Sequence, residues 1–162
     1  MNYTDMSTIE IKKSLGYNEN EIVEPVKLAE KLGIDLVETT LDQEQDGAKI
    51  LCAIVNKDDG ASVFYHKRLI DDVGSERVAL TYALLHYLGD KSNIMITSRT
   101  IITEREEALI YEMLMPKNLV INALIDGASI NDLSEGFNVP KRFVRERLDA
   151  MPVIAFGDNR MV

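Results

Sequence analysis

Apolar residues recur at helical spacing near the start of the chain, crowd into short runs in its middle, and return to helical spacing for the remainder. In "NEIVEPVKLAEKLGI", Val26, Leu28, Ala29 and Leu32 fall near one helical face. Pro25 stands where a first turn tolerates it and Gly33 supplies a stop, so the pattern predicts a capped helix of about three turns. "DLVETTL", "AKILCAIVN" and "ASVFYHK" are short β-branched or apolar runs, with turn chemistry at Asp46-Gly47 and Asp58-Asp59-Gly60. They predict a small, mostly antiparallel sheet of about three strands, ordered as a meander. Helical spacing resumes from Ser75 to Leu88, where "RVALTYALLHYLGD" reads as an amphipathic helix with His86 on its inner side. It continues from Ile101 to Leu114 until Pro116 ends the segment. Two short helices, Ile130 to Phe137 and Pro140 to Leu148, then follow around a tight turn at Asn138-Val139, giving a segment like a helix-turn-helix. The tail "PVIAFGD" suits a last strand or simple packing. The expectation is an α+β fold in one domain over residues 1–162, with an α+β part over 1–116 and a helical part over 117–162.

Composition narrows what such a domain can do. The 162 residues suffice for a core without disulfides, and 46% hydrophobic with 28% charged residues is ordinary for a soluble globular protein. No apolar run approaches the roughly 18 residues of a membrane span. The stretch "MNYTDMSTIEIKKSLGY" lacks the basic start and apolar run of a secretory signal, so a cytoplasmic location is expected. The single cysteine, Cys52, excludes an internal disulfide and reads as a buried structural thiol. A formal net charge of -9 repels phosphate backbones, which makes general nucleic-acid affinity unexpected.

Several strings, in this order and separation, resemble the ImmA/IrrE family of zinc peptidases. That family reads "RFTLAHELGHYLLH" on its active-site helix and "EANRFAAELLMP" on the next, where this chain has "RVALTYALLHYLGD" and "EEALIYEMLMP". Upstream, "KLAEKLGIDLV" and "SVFYHKRL" resemble the family's first helix and strand and its last strand before the active helix. Downstream, "SINDLSEGFNVPKRFVRERL" resembles the family's "LAxxFxVSxxxVxxRL", so the likeness covers about residues 22 to 148. It implies zincin-like helices packed on the sheet.

The working residues depart from that family. In an HExxH helix two histidines at i and i+4 bind zinc and the intervening glutamate serves as general base. The corresponding positions here are Tyr82, Ala83 and His86. A phenol that ionises near pH 10 is a poor zinc ligand at neutral pH, and alanine takes no proton. The family's third ligand, a glutamate on the next helix, falls at Thr103, with Glu104 one residue away and the register open. Leu84-Leu85 replaces the family's Leu-Gly pair and adds bulk where a substrate would approach. The expectation is therefore no catalytic residue, no bound metal and no peptidase activity. His86 reads as a packed core residue beside Tyr82, while His66 reads as exposed at a strand end. A rebuilt zinc site from His66, His86 and Glu104 is the alternative.

The second short helix carries Lys141, Arg142, Arg145 and Arg147, a possible binding face for DNA. Asp132, Glu135, Glu146 and Asp149 balance those charges within residues 129 to 149. The resembled family includes peptidases that act on repressor proteins of phages and integrated elements. The resemblance thus implies a pseudo-metallopeptidase that regulates such a system by binding another protein, with a helix-turn-helix repressor as the candidate partner. A zinc endopeptidase with an unusual ligand set and a DNA-binding regulator are the alternatives.

Overall fold

Turn and cap chemistry sets the element boundaries. Ser7 and Glu10 close a capping box at the start of α1 (Thr8–Ser14). Pro25 opens α2 (Pro25–Leu32), and Gly33, at φ 68°, ends it in the left-handed conformation that glycine adopts without strain. The computed structural model describes residues 5–39, 44–45, 47–66 and 75–151. Beyond α2 these form β1 (Ile34–Glu38), β2 (Glu44–Gln45), β3 (Ala48–Lys57), β4 (Gly60–Tyr65), α3 (Ser75–Gly89), β5 (Ile94–Thr97), α4 (Glu104–Leu114), α5 (Lys117–Ile125), α6 (Ile130–Phe137) and α7 (Lys141–Ala150). The tail read as a possible strand lies outside the described residues, as do Asp46 of the first turn and Thr40-Leu41 of the first run.

The fold is α+β, and its sheet is larger and more mixed than a three-strand meander. Four strands lie in the order β1, β4, β3, β5, with the two-residue β2 paired to the start of β3. The β3–β4 hairpin is antiparallel, as its Asp58-Asp59-Gly60 turn requires, and β5 pairs antiparallel with β3. β1 instead joins the outer edge of β4 and runs parallel to it, from Ile34 opposite Ala61 to Glu38 opposite Tyr65. That register sets Ile34 and Leu36 beside Ala61 and Val63, so the apolar side of β1 completes the face that meets the helices. β5 gave no signal in the sequence because four residues are too few to show a period; its place comes from pairing with Ile50 to Ile54 of β3.

α3 packs on β3, β4 and β5 and is covered by α2 and α4, so it is enclosed rather than half-exposed. Thr81, Tyr82, Ala83, Leu84 and Leu85 are consecutive buried residues, which replaces the amphipathic reading of this helix. α4 begins three residues later than its apolar pattern, at Glu104, because Thr103 and Glu106 form a capping box. Ile101, 88% exposed, stays outside it. α1 and α5 complete the helical layer. Lys12 of α1 is fully buried, and its ammonium donates to the carbonyls of Glu19 (2.7 Å), Glu21 (2.6 Å) and Glu112 (3.1 Å). Burial holds its pKa below the usual lysine value.

The C-terminal pair is joined at Asn138, which takes φ 52° at the end of α6. It docks through buried arginines. Arg77 of α3 donates to the Phe137 and Asn138 carbonyls at the α6–α7 turn and pairs with Glu24 at 2.8 Å. Arg147 of α7 donates to the Met115 carbonyl and pairs with Glu112 at 2.8 Å, while Phe143 lies 5.2 Å from the Tyr111 ring. One hydrophobic cluster runs from Ile11 to Met151 and includes both parts.

Arg77→Met should destabilise the fold by about 2–4 kcal/mol, because it strands buried carbonyls and removes a charge-assisted contact. Glu24→Gln, at a half-exposed partner, should cost under about 1 kcal/mol. Urea unfolding monitored by circular dichroism would check both; equal losses would assign the effect to the ion pair instead of the carbonyls.

Candidate functional site

The helix that resembles a metallopeptidase helix puts Tyr82 and His86 one turn apart, with ring centroids 5.9 Å apart and planes tilted by 45°. Tyr82 and Ala83 are buried, whereas the His86 side chain is 31% exposed, so the expectation of a core histidine gives way to a half-buried one. Its place in the last turn of α3 explains the exposure: the helix ends at Gly89 and leaves the core there.

The carboxylate that meets this histidine is Glu106. Its Oε2 lies 3.7 Å from His86 Nδ1, and its Oε1 accepts from the Thr103 hydroxyl at 2.7 Å. The capping box thus aims one carboxylate oxygen back at its own helix and leaves the other toward α3. Neither position considered from the sequence fills this role: Thr103 is the N-cap, and Glu104 is exposed on the first turn of α4. The signal that would have found Glu106 is the Thr103-x-x-Glu106 spacing, which marks both a helix start and the direction of the glutamate side chain.

This donor set does not fit a zinc centre. Burial foremost, and then the negative charge of Glu106, push the Tyr82 phenol up to about 12, so it stays protonated at neutral pH and offers no phenolate. That leaves one imidazole and one carboxylate where a catalytic zinc takes three protein ligands. Among the described residues no three His, Cys, Asp or Glu side chains gather as a metal-binding group, so His66, His86 and Glu104 are not brought together. His66 is only 2% exposed, against the expectation of an exposed strand end, and its backbone N–H donates to the Leu51 carbonyl of β3. It lines a cleft with residues of β3 and β4. Cys52 is buried as expected, and burial raises its thiol to about 12.

No family model, curated protein or solved structure matches this chain. What bears on function is therefore its own geometry.

The basic cluster divides. Lys141, Arg142 and Arg145 are exposed on α7, but Arg147 is 6% exposed and committed to Glu112 and Met115, so it does not belong to a binding face. Arg142 also lies 3.9 Å from Glu146 on the same helix. Arg147 stands four residues after Phe143 and three after Val144, on the buried face of α7, which a count of basic residues does not reveal.

The raised phenol gives a pH dependence. An unfolded tyrosine releases its proton near pH 10 and Tyr82 in the fold near 12, so stability falls as pH rises through that interval. Tyr82→Phe should make the decline shallower by up to roughly 2 kcal/mol across it. Urea unfolding at a series of pH values from 9 to about 12 would check this. An unchanged slope would remove Tyr82 from the effect.

Proposed function

We propose that this chain is a non-catalytic relative of the ImmA/IrrE peptidases that acts by binding another protein, a repressor-like helix-turn-helix protein of a phage or mobile element. The supporting observation is the filling of the helix at its would-be working positions: Tyr82 and Ala83 are packed into the core, and His86 faces a single carboxylate. Recognition of a partner and catalysis rest on different residues, so a scaffold without the second can retain the first. A net charge of -9 suits the basic surface of a DNA-binding partner. The reading places the protein in the cytoplasm; no single described helix is long and apolar enough to cross a membrane.

The alternatives have less to stand on. A zinc endopeptidase would need a third ligand and a general base beside His86 and Glu106. A DNA-binding regulator would rest on Lys141, Arg142 and Arg145 without Arg147, next to Glu146 and Asp149.

Zinc measured by mass spectrometry, after purification in zinc-supplemented buffer and dialysis, should be at background in both the wild type and His86→Ala. Near-stoichiometric zinc that disappears in the variant would sink the non-catalytic reading. In a binding screen against helix-turn-helix repressor proteins, the chain should form a stable complex with one of them and leave that protein intact. Cleavage that a chelator abolishes would establish the peptidase instead.

A further inference from the structure

Three backbone carbonyls converge on one ammonium inside the protein. Lys12 is fully buried, and its Nζ donates to the carbonyl of Glu21 at 2.6 Å, of Glu19 at 2.7 Å and of Glu112 at 3.1 Å. An ammonium has three N–H donors, so each of them has an acceptor of its own. Burial works against the charge, while the nearby carboxylates of Glu112, Glu21 and Glu19 favour it.

The acceptors are held in place by contacts that do not involve the lysine. Glu112 lies in the last turn of α4, where its carbonyl would ordinarily accept from the residue four positions on; that residue is Pro116, which has no N–H. The carbonyl is thus left at the negative end of the helix, where a cation is favoured. On the other side, the Glu21 N–H donates to the Asn18 carbonyl and the Asn18 N–H to the Glu21 carboxylate, both at 3.1 Å, which closes the turn that carries the Glu19 and Glu21 carbonyls. This turn is fastened to the end of α4 and the start of α5: the Val23 N–H donates to the Met113 carbonyl at 2.8 Å, and the Asn118 amide donates to the Asn20 side chain at 3.0 Å.

We propose that these three carbonyls form a binding site for a primary ammonium, which Lys12 fills from within the chain. α1, which packs on α4, is then a plug that carries its own ligand, and lifting it opens the socket to a free primary amine. Three acceptors around one buried point match the three N–H bonds of such a cation and give each a partner. Three oxygens replace only part of a potassium ion's hydration shell, so a bare metal cation is a poorer match. The buried methylene stem of Lys12 marks a channel that accepts a short alkyl chain behind the nitrogen. The assignment is independent of the proposed regulator role and of the His86 region.

Rescue of Lys12→Ala by alkylammonium ions tests it. The truncation removes Cγ, Cδ, Cε and Nζ, which are the heavy atoms of n-propylammonium. At neutral pH this cation should bind the variant at about 10 mM, so that about 100 mM raises its folding equilibrium constant about tenfold, read by urea unfolding. Wild type, whose tethered ammonium already occupies the site, should show no such gain. Tetramethylammonium has no N–H, n-propanol has no charge and potassium has no stem; each at the same concentration, with ionic strength matched by sodium chloride, should give less than about a twofold gain. A gain from n-propylammonium no larger than from these controls overturns the proposal. Should the variant stay unfolded under every condition, NMR of the lysine ammonium groups in the wild type decides. Lys12 should give a separate signal whose hydrogen exchange is about tenfold or more slower than that of the exposed Lys27 and Lys141. Exchange as fast as theirs would mean an ammonium that the carbonyls do not enclose, and would overturn the proposal as well.

Discussion

A helix enclosed on every side cannot hold open a polar site, and α3 is enclosed from Leu80 to Leu85. The sheet lies beneath it, α2 and α4 cover it, and each of those elements gains its own burial from that contact. Removing water from Tyr82 and Ala83 suits a phenol that stays neutral and a methyl group; it would not suit an ionised base or a metal ligand without partners. Only the last turn escapes, where His86 emerges beside Glu106. The chemistry left to the helix is thus confined to one imidazole and one carboxylate at its C-terminal end.

Local signals in the sequence carried α2, α3, α6 and α7 well, because each has a strong punctuation residue or a long periodic run. Gly33 and Asn138 do adopt the left-handed conformations that end α2 and α6. β5 and the parallel placement of β1 were not legible, since both depend on which distant strand offers a free edge. α1 and α5 lack the apolar repeat of the longer helices. Of the candidate site, the Tyr82–His86 contact was legible because its spacing is local, and the Glu106 carboxylate beside His86 was not, since its direction turns on where α4 begins. Reading Thr103 as a cap instead of as a ligand position moves attention from Glu104 to Glu106.

Buried arginines show a related limit. Arg77 and Arg147 look like surface charges in a string, yet each spans two parts of the fold by combining backbone carbonyls with one carboxylate. Their planar, multi-donor geometry allows a single side chain to satisfy several acceptors at once, which lysine does less well. α6 and α7 do form two helices around a tight turn, but part of their positive charge lies inside the protein. His66 is likewise buried where the string reads as an exposed strand end.

Glu112 gives this architecture an order in time. Its carbonyl receives the Lys12 ammonium from 100 residues upstream, and its carboxylate receives the Arg147 guanidinium from 35 residues downstream. At ribosomal rates of roughly 5–20 residues per second, the wait between making Lys12 and making its third acceptor, Glu112, is about 5–20 s. During that interval α1 is a seven-residue segment without the α4 wall it packs on, too short to persist as an isolated helix. Until α4 exists the lysine has only the Glu19 and Glu21 carbonyls, close by in the chain, and the N-terminal helix, among the first elements synthesised, takes its final place only afterwards.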